Sequence, residues 1–375
     1  MCTELYFAYG SNLNFADLQR WCIDHDVPPL ELQKVGMAEL PDHRLAFSVF
    51  SQSRNGGVLD IRESIGRCVE GVLFEVSAEQ LAILDRKEGA PSVYQRQTVI
   101  VIDSNGKLVR AVTYRVVPDN AEPYVRPSEE YLEVVKAGYR SFGISTSGLK
   151  AAAANRPIFA EDGFFFYGTL MRDECRFKAV RPFGVTCSIL ASTPGKLFDL
   201  GSYPAMLLAV EEDEVPGQSP FVQGDFVRLK KVPSALQLFD AIEGFHGFKS
   251  LLSNNLQSLY YRTRITVDVG DGRLRRAWTY RLATAADGYE EISSGDWREH
   301  RGTKERFINK LISLHSDNNE LATAEKLSTF LPFCMGSDRQ KTIDYLLPLY
   351  QSLERGIISE RRLAQVSENW TAAVE

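Results

Sequence analysis

The chain repeats one pattern twice, and any fold proposed for it must accommodate both copies. Tyr9-Gly10-Ser11-Asn12-Leu13 follows the short apolar run from Leu5 to Ala8, and Tyr167-Gly168-Thr169-Leu170-Met171 follows Phe164 to Phe166. Each reads as a strand entering a glycine turn that carries a small hydroxyl residue. Each is answered later by an acid-glycine pair that closes an amphipathic run: Leu81, Leu84, Asp85, Glu88, Gly89 in the first copy and Leu238, Phe239, Ile242, Glu243, Gly244 in the second. Tyr9 to Glu88 spans 79 positions and Tyr167 to Glu243 spans 76. Gly71-Val72-Leu73-Phe74 matches Gly224-Asp225-Phe226-Val227, Tyr94-x-Arg96 matches Tyr260-Tyr261-Arg262, and Thr113-Tyr114-Arg115 matches Thr279-Tyr280-Arg281. Five matches in the same order define an internal repeat, so turn and carboxylate are expected in one spatial relation twice over.

A chain of 375 residues is too long for one ordinary core, and 44% hydrophobic residues is the composition of a folded protein. The net charge of -6, with acids and bases interspersed, leaves no electrostatic footprint for a nucleic-acid backbone or an anionic membrane, and neither partner is expected. No window approaches the roughly 20 apolar residues of a membrane helix, and the amino terminus lacks a basic start before an apolar stretch, so a cytoplasmic protein is expected. Cys2, Cys22, Cys68, Cys175, Cys187 and Cys334 lie far apart, as reduced and mostly buried thiols would. His25, His43, His246, His300 and His315 show no ligand spacing, so no metal and no cofactor is expected.

Alternating or apolar runs at Glu70 to Val76, Thr98 to Ile102 and Leu108 to Val117 read as strands, with Asp103-Ser104-Asn105-Gly106 as a hairpin turn. Helical periodicity appears at Phe15 to Asp24, at Ala78 to Lys87 behind a Ser77 cap, and at Glu129 to Ser141. The second copy carries strands at Gly195 to Leu200, Ala205 to Val210, Gln223 to Leu229, Arg262 to Val269 and Leu274 to Tyr280, with Gly270-Asp271-Gly272 as its hairpin turn. The expectation is an α+β protein: two small mixed β-barrels with flanking helices over residues 1–145 and 163–285, joined by a linker or connecting helix at 146–162. Residues 286–375 form a helical carboxyl-terminal region, in which Phe307, Leu311 and Leu314 and then Ile343, Leu346, Leu347 and Tyr350 fall at helical spacing. Those helices pack on the second copy or form a dimer contact, and the oligomeric state stays open.

A glycine after a strand lets the backbone turn sharply and leaves amides free to hold a carboxylate or a developing oxyanion, with Ser11 or Thr169 adding a hydroxyl. Glu88 and Glu243, recurring at matched distances, are the candidate catalytic groups, since a carboxylate held beside apolar side chains can serve as base and acid in turn. Tyr114 and Tyr280 lie on strands from which a phenol can orient such a carboxylate, with plain packing as the alternative. Arg96 and Arg262 read by default as exposed strand arginines, with pairing to a substrate carboxylate as the alternative.

On these residues the first copy resembles the gamma-glutamylcyclotransferase family and the second resembles its gamma-glutamylamine cyclotransferase-like branch. The pattern appears as Tyr9-Gly10-Ser11-Asn12-Leu13, Gly56-Gly57-Val58-Leu59-Asp60-Ile61, Gly71-Val72-Leu73-Phe74, Leu84-Asp85-Arg86-Lys87-Glu88-Gly89, Tyr94 and Pro127-Ser128, and again as Tyr167-Gly168-Thr169-Leu170, Gly195-Lys196-Leu197-Phe198-Asp199-Leu200-Gly201-Ser202-Tyr203-Pro204-Ala205, Gly224 and Glu243-Gly244-Phe245. The resemblance implies a barrel whose cavity takes a small gamma-glutamyl substrate. The substrate's own α-amine attacks its gamma-carbonyl and releases 5-oxoproline and a free amine or amino acid. It implies Glu88 and Glu243 as proton carriers, with Tyr9, Gly10, Ser11, Asn12, Leu13 and Tyr114 in one copy and Tyr167, Gly168, Thr169, Leu170 and Tyr280 in the other as substrate-binding residues. Such a closure needs no metal and no nucleophilic side chain, because proximity supplies on the order of 7 to 11 kcal/mol of the barrier. The second copy departs from the pattern at Phe245 to Leu259, longer than its counterpart Ala90 to Val93. That insertion forms a lid or wall selecting a different leaving amine, or marks a site without turnover; retention of both glutamates favours activity in both copies. Two alternatives share the motifs: removal of a gamma-glutamyl protecting group from a biosynthetic amine, and a non-catalytic protein that binds a gamma-glutamyl ligand.

Overall fold

Glycine positions and strand bulges, more than apolar content, set the curvature of this chain. The computed structural model describes residues 3–156, 160–209, 220–253, 258–270 and 272–302. The first copy comprises β1 (Glu4–Ala8), α1 (Phe15–Asp24), β2 (Gln33–Ser51), β3 (Gly56–Val76), α2 (Ala78–Glu88), β4 (Tyr94–Asp103), β5 (Leu108–Val116), α3 (Glu129–Phe142) and α4 (Ser147–Ala153). Its strands close in the order β1-β3-β2-β4-β5, sealed by a parallel pairing of β1 with β5 at Tyr6 and Val112. The remaining pairings given for this barrel are antiparallel. Five strands close only if the sheet coils strongly, and β2 does so through register shifts at Lys34/Gly36, Pro41/His43 and Phe47/Val49. At Gly71 a Cβ would meet the Ala8 carbonyl oxygen at 2.5 Å and the Phe7 ring at 2.6 Å, so only glycine lets β1 lie this close to β3.

The helices begin where their caps dictate. Ser77 and Gln80 form a reciprocal capping box at the start of α2, and Gly89, at φ 64°, ends it in the left-handed region. Ser128 caps α3, whose Gly138 lies so close to the Leu13 backbone that a Cβ would stand 2.8 Å from it. α4 lies in the expected connecting segment, and its Leu149 and Ala152 are buried in the first barrel's core.

The second copy comprises β6 (Gly163–Phe166), β7 (Val185–Asp199), β8 (Pro204–Leu208), β9 (Phe221–Leu229), α5 (Val232–Glu243), β10 (Tyr260–Asp268), β11 (Leu274–Leu282) and β12 (Glu290–Glu291). The order β10-β11-β6-β9-β7, with β10 also paired to β7, is the first barrel's order with each strand replaced by its counterpart, so both copies are closed five-stranded mixed barrels. The closing parallel pair recurs as Phe164 with Trp278. A buried side-chain bond recurs beside it: Thr113 Oγ1 donates to the Phe7 carbonyl at 2.8 Å and Thr279 Oγ1 to that of Phe165 at 2.9 Å.

By density of contact the described residues fall into two compact units, one within Met1–Phe165, Lys178–Ala191 and Phe226–Thr284, the other within Phe166–Phe177, Ser192–Asp225 and from Ala285. In the first, the arm of β2 and β3 packs on α5, where a Cβ on Gly66 would meet Val232 at 2.9 Å and Leu236 at 3.1 Å. Arg264 and Arg276 share Glu39 at 2.8 and 3.1 Å. In the second, the buried acids Glu174, Asp199 and Asp225 meet Arg301, His300 and Arg298 at 3.2, 2.7 and 2.7 Å, which seats residues 297–302. The helices expected beyond 302 lie outside the described residues. No described helix is long and apolar enough to cross a membrane. Among the described thiols Cys22 is buried, Cys68 and Cys187 are half-buried and Cys175 is exposed, a less buried set than the sequence suggests.

Candidate active site

α2 buries Leu81 and Leu84 in the first barrel and ends on Glu88, three residues after Asp85 and on the same helix face. β1 leads through Tyr9 and Gly10 into a single 3-10 turn, Ser11–Leu13, which carries Asn12 to that glutamate. Asn12 Nδ2 donates to Glu88 Oε1 and to the Tyr6 hydroxyl, both at 2.8 Å. The Asn12 side chain is buried, and its Oδ1 meets no donor, so a buried acceptor is left with its hydrogen bond unmade. The amides of Ser11 and Asn12 head the turn, where no internal acceptor reaches them.

Gly10 differs from the expectation drawn from its sequence context. Its φ of -129° is not left-handed, and a Cβ there would meet only Leu59, at 3.8 Å. Packing leaves room for a side chain at Gly10, and its absence leaves the turn open to the approach of a ligand.

The other expected residues divide into two groups. Ser11 lies near enough to the Tyr131 phenol to favour its ionised form, and that phenol accepts from the Leu59 amide at 3.3 Å. Tyr9 and Leu13 belong to the wall: the Tyr9 hydroxyl donates to the Tyr114 carbonyl at 2.8 Å, and Leu13 is buried under α3. Tyr114 does not reach Glu88 with its hydroxyl; it donates to Asp85 Oδ1 at 2.7 Å. The fold adds Tyr6, Tyr94 and Tyr131, which the motifs did not single out for the site. Tyr6 could have been found by its place three residues before Tyr9 on the same strand, whereas Tyr131 arrives on α3 with no local signal.

Burial pushes these phenols up, Tyr131 to about 12 and Tyr6, Tyr9, Tyr94 and Tyr114 further, and the charge of Glu88 adds to it in each. All five stay protonated at neutral pH, so the charged neighbour closest to Glu88 is the Lys87 ammonium, 4.0 Å from its Oε1, among neutral phenols and the Asn12 amide. Arg54 lies with its guanidinium 5.6 Å from the Tyr131 ring centre, fixed by a bidentate pair to Asp17 at 2.9 and 2.6 Å. This arrangement can take a proton from a bound ammonium and return it to a leaving nitrogen.

In the second copy, the first compact unit holds Glu243, half-buried at the end of α5, followed by Gly244 at φ 65°. Tyr280 again serves the aspartate, donating to Asp240 Oδ1 at 2.7 Å. Arg262 corrects the reading of an exposed strand arginine: its side chain is 1% exposed, against 40% for Arg96. The second unit holds the turn Tyr167 to Leu170, closed by Met171 N to the Gly168 carbonyl and Arg176 N to that of Thr169, both at 2.9 Å. Tyr167 and Leu170 are buried, and a Cβ on Gly168 would come within 2.8 Å of the Pro204 ring, so this glycine is required by packing. The ligand atoms of Asp199, Glu290 and His300 also lie within 4.8 Å of one another, a grouping the histidine spacing did not show. Asp199 and His300 already hydrogen-bond at 2.7 Å, which accounts for the cluster as an anchor for residues 297–302.

The family model described as gamma-glutamyl cyclotransferase, AIG2-like, matches residues 6–133 and 164–299. The gamma-glutamylcyclotransferase of Bos taurus is 31% identical over 145 residues, covering 37% of this chain and 72% of the relative. The putative gamma-glutamylcyclotransferase YkqA of Bacillus subtilis (strain 168) is 28% identical over 134 residues, covering 36% and 45%. Among solved structures, one named gamma-glutamyl cyclotransferase aligns at 28% identity with a TM-score of 0.35, covering 42% of this chain and 90% of that one.

Proposed function

We propose, from the premise that this chain belongs to the gamma-glutamyl cyclotransferase, AIG2-like family, that it converts gamma-glutamyl amines or amino acids into 5-oxoproline and the free amine. The observation that carries this reading is the bond from Asn12 to Glu88, which joins the glycine turn to the acid at the end of α2. In the reaction the substrate's ammonium gives a proton to Glu88, and the freed amine attacks the gamma-carbonyl. A carbon-nitrogen bond forms within the new five-membered ring, the ring nitrogen gives up its second proton as the original amide bond breaks, and both protons reach the leaving nitrogen by way of Glu88, so the amine departs as its ammonium. Asn12 Nδ2 holds Glu88 Oε1 in place for this exchange. The amides of Ser11 and Asn12 hold a carboxylate or the developing oxyanion. Water takes no part, which suits a carboxylate surrounded by buried phenols.

Glu243 takes the same role in the second copy, with the residues after Gly244 giving a different leaving-group preference. The test is 5-oxoproline release by the full chain from gamma-glutamyl alanine, gamma-glutamyl lysine, gamma-glutamyl monoamines and glutathione, alongside Glu88→Gln and Glu243→Gln. Loss of release from different substrates in the two variants supports two sites. Undiminished release by the double variant, or glutamate as product, overturns the reading.

A further inference from the structure

The glutamate-bearing helices of both copies rest on the same trio. In the first, Tyr114 donates to Asp85 at 2.7 Å while Arg96 stands 3.8 Å from that aspartate. In the second, Tyr280 donates to Asp240 at 2.7 Å while Arg262 Nε stands 3.2 Å from it. The aspartate precedes the glutamate by three residues each time, and its carbonyl accepts the amides that end the helix: Gly89 and Ala90 in one copy, Gly244 and Phe245 in the other. Fixing the aspartate therefore fixes the turn that aims the glutamate.

The trios differ in what holds the arginine. Arg96 is part-exposed, whereas Arg262 is sealed beneath Phe248 and Trp278, each 5.0 Å from its guanidinium, and Phe245 at 5.6 Å. A buried guanidinium needs more than one carboxylate edge. The second edge comes from the first copy: Nη1 and Nη2 both donate to Asp42, on β2. The chain is shaped there for that contact. Asp42 has a φ of 56°, unusual for a residue with a side chain, at the register shift between Pro41 and His43. Its Oδ1 also accepts the amide of Gly66 at 2.8 Å, and Gly66 is the residue whose missing Cβ lets β3 meet α5.

We propose that Tyr280, Asp240, Arg262 and Asp42 form a positioning relay for Glu243, and that its last member is contributed by the first copy, so the second glutamate is correctly aimed only in the tandem chain. The inference rests on the proposed use of Glu243 as a proton carrier. A left-handed backbone at Asp42, costly in itself, is compensated by closing this relay. The insertion after Gly244, read from the sequence as a lid or wall, covers the relay's arginine through Phe245 and Phe248.

The experiment uses the full chain and Asp42→Ala. Glu243-dependent release is the part of 5-oxoproline formation that Glu243→Gln removes. Glu88-dependent release in the same sample reports that the barrel carrying Asp42 has folded. The expected result is a fall in kcat for the Glu243-dependent part by about 10- to 100-fold with little change in KM, as for a catalytic group displaced by a fraction of an ångström to an ångström. Amide hydrogen exchange over Phe239 to Phe245 should quicken in parallel. A variant with unchanged Glu243-dependent kcat and unchanged exchange overturns the relay. If the wild-type chain shows no Glu243-dependent release, the proposed function of the second copy fails by itself. Exchange then decides the relay alone, faster supporting it and unchanged protection refuting it.

Discussion

Asn12 and Glu88, 76 residues apart in the chain, share a hydrogen bond of 2.8 Å, and through it the glycine turn and the acid at the helix end become one site. The second Asn12 N–H is held by Tyr6, so the amide cannot rotate without breaking a buried bond. The predicted outcome for Asn12→Asp is a first-copy pH–rate profile whose acidic limb moves up, because a second carboxylate beside Glu88 disfavours its ionised form. Asn12→Ala should lower kcat by about 10- to 100-fold without shifting that limb. Superposable pH profiles for wild type and Asn12→Asp would show that Asn12 does not touch the working carboxylate.

Tyr114 separates binding from support. Its hydroxyl is committed to Asp85 and its carbonyl to Tyr9, so it braces α2 and β1 together. Tyr114→Phe should cost about 1 to 3 kcal/mol in denaturant unfolding, the consequence of leaving Asp85 without its partner, while Glu88-dependent KM changes less than twofold. A large rise in KM at wild-type stability would instead make Tyr114 a direct substrate contact.

The architecture was legible wherever local rules act. Ser77 with Gln80 and Gly89 bound α2, and the repeat itself required two like barrels. Glu88 with Asn12 was legible because both stand inside motifs. Tyr131 was not, because it reaches the site on a helix whose own pattern reports only burial. Arg262 was misread for a related reason: its partner Asp42 is 220 residues away, and sequence periodicity cannot show a charge buried by a distant carboxylate.

The two turn glycines make opposite predictions. Gly10→Ala should lower the thermal midpoint less than Gly168→Ala does, since a Cβ meets only Leu59 at 3.8 Å, and yet lose Glu88-dependent release by about 10-fold or more through obstruction of the ligand. Gly168→Ala should lose stability by about 1 to 3 kcal/mol, because the Pro204 ring stands 2.8 Å from the new atom. Equal thermal shifts in the two variants would remove the argument that Gly10 is kept open for substrate.

Asp240 gives a pH dependence of stability. Burial pushes its carboxyl up to about 6, against the opposing pull of Arg262 and the Tyr280 hydroxyl, with the Asp42 charge adding to the rise. A carboxyl that titrates higher in the folded chain than at its ordinary 3.8 binds its proton more tightly there. Its contribution is complete below about 3.8 and is lost as pH rises through about 6, a difference worth up to roughly 3 kcal/mol. Asp240→Asn keeps an acceptor for Tyr280 and removes the titration. Unfolding free energies of wild type and variant, measured from pH 4.5 to 7, should therefore diverge in the variant's favour as pH rises. A constant difference across that range would mean that Asp240 is ionised throughout, held so by Arg262.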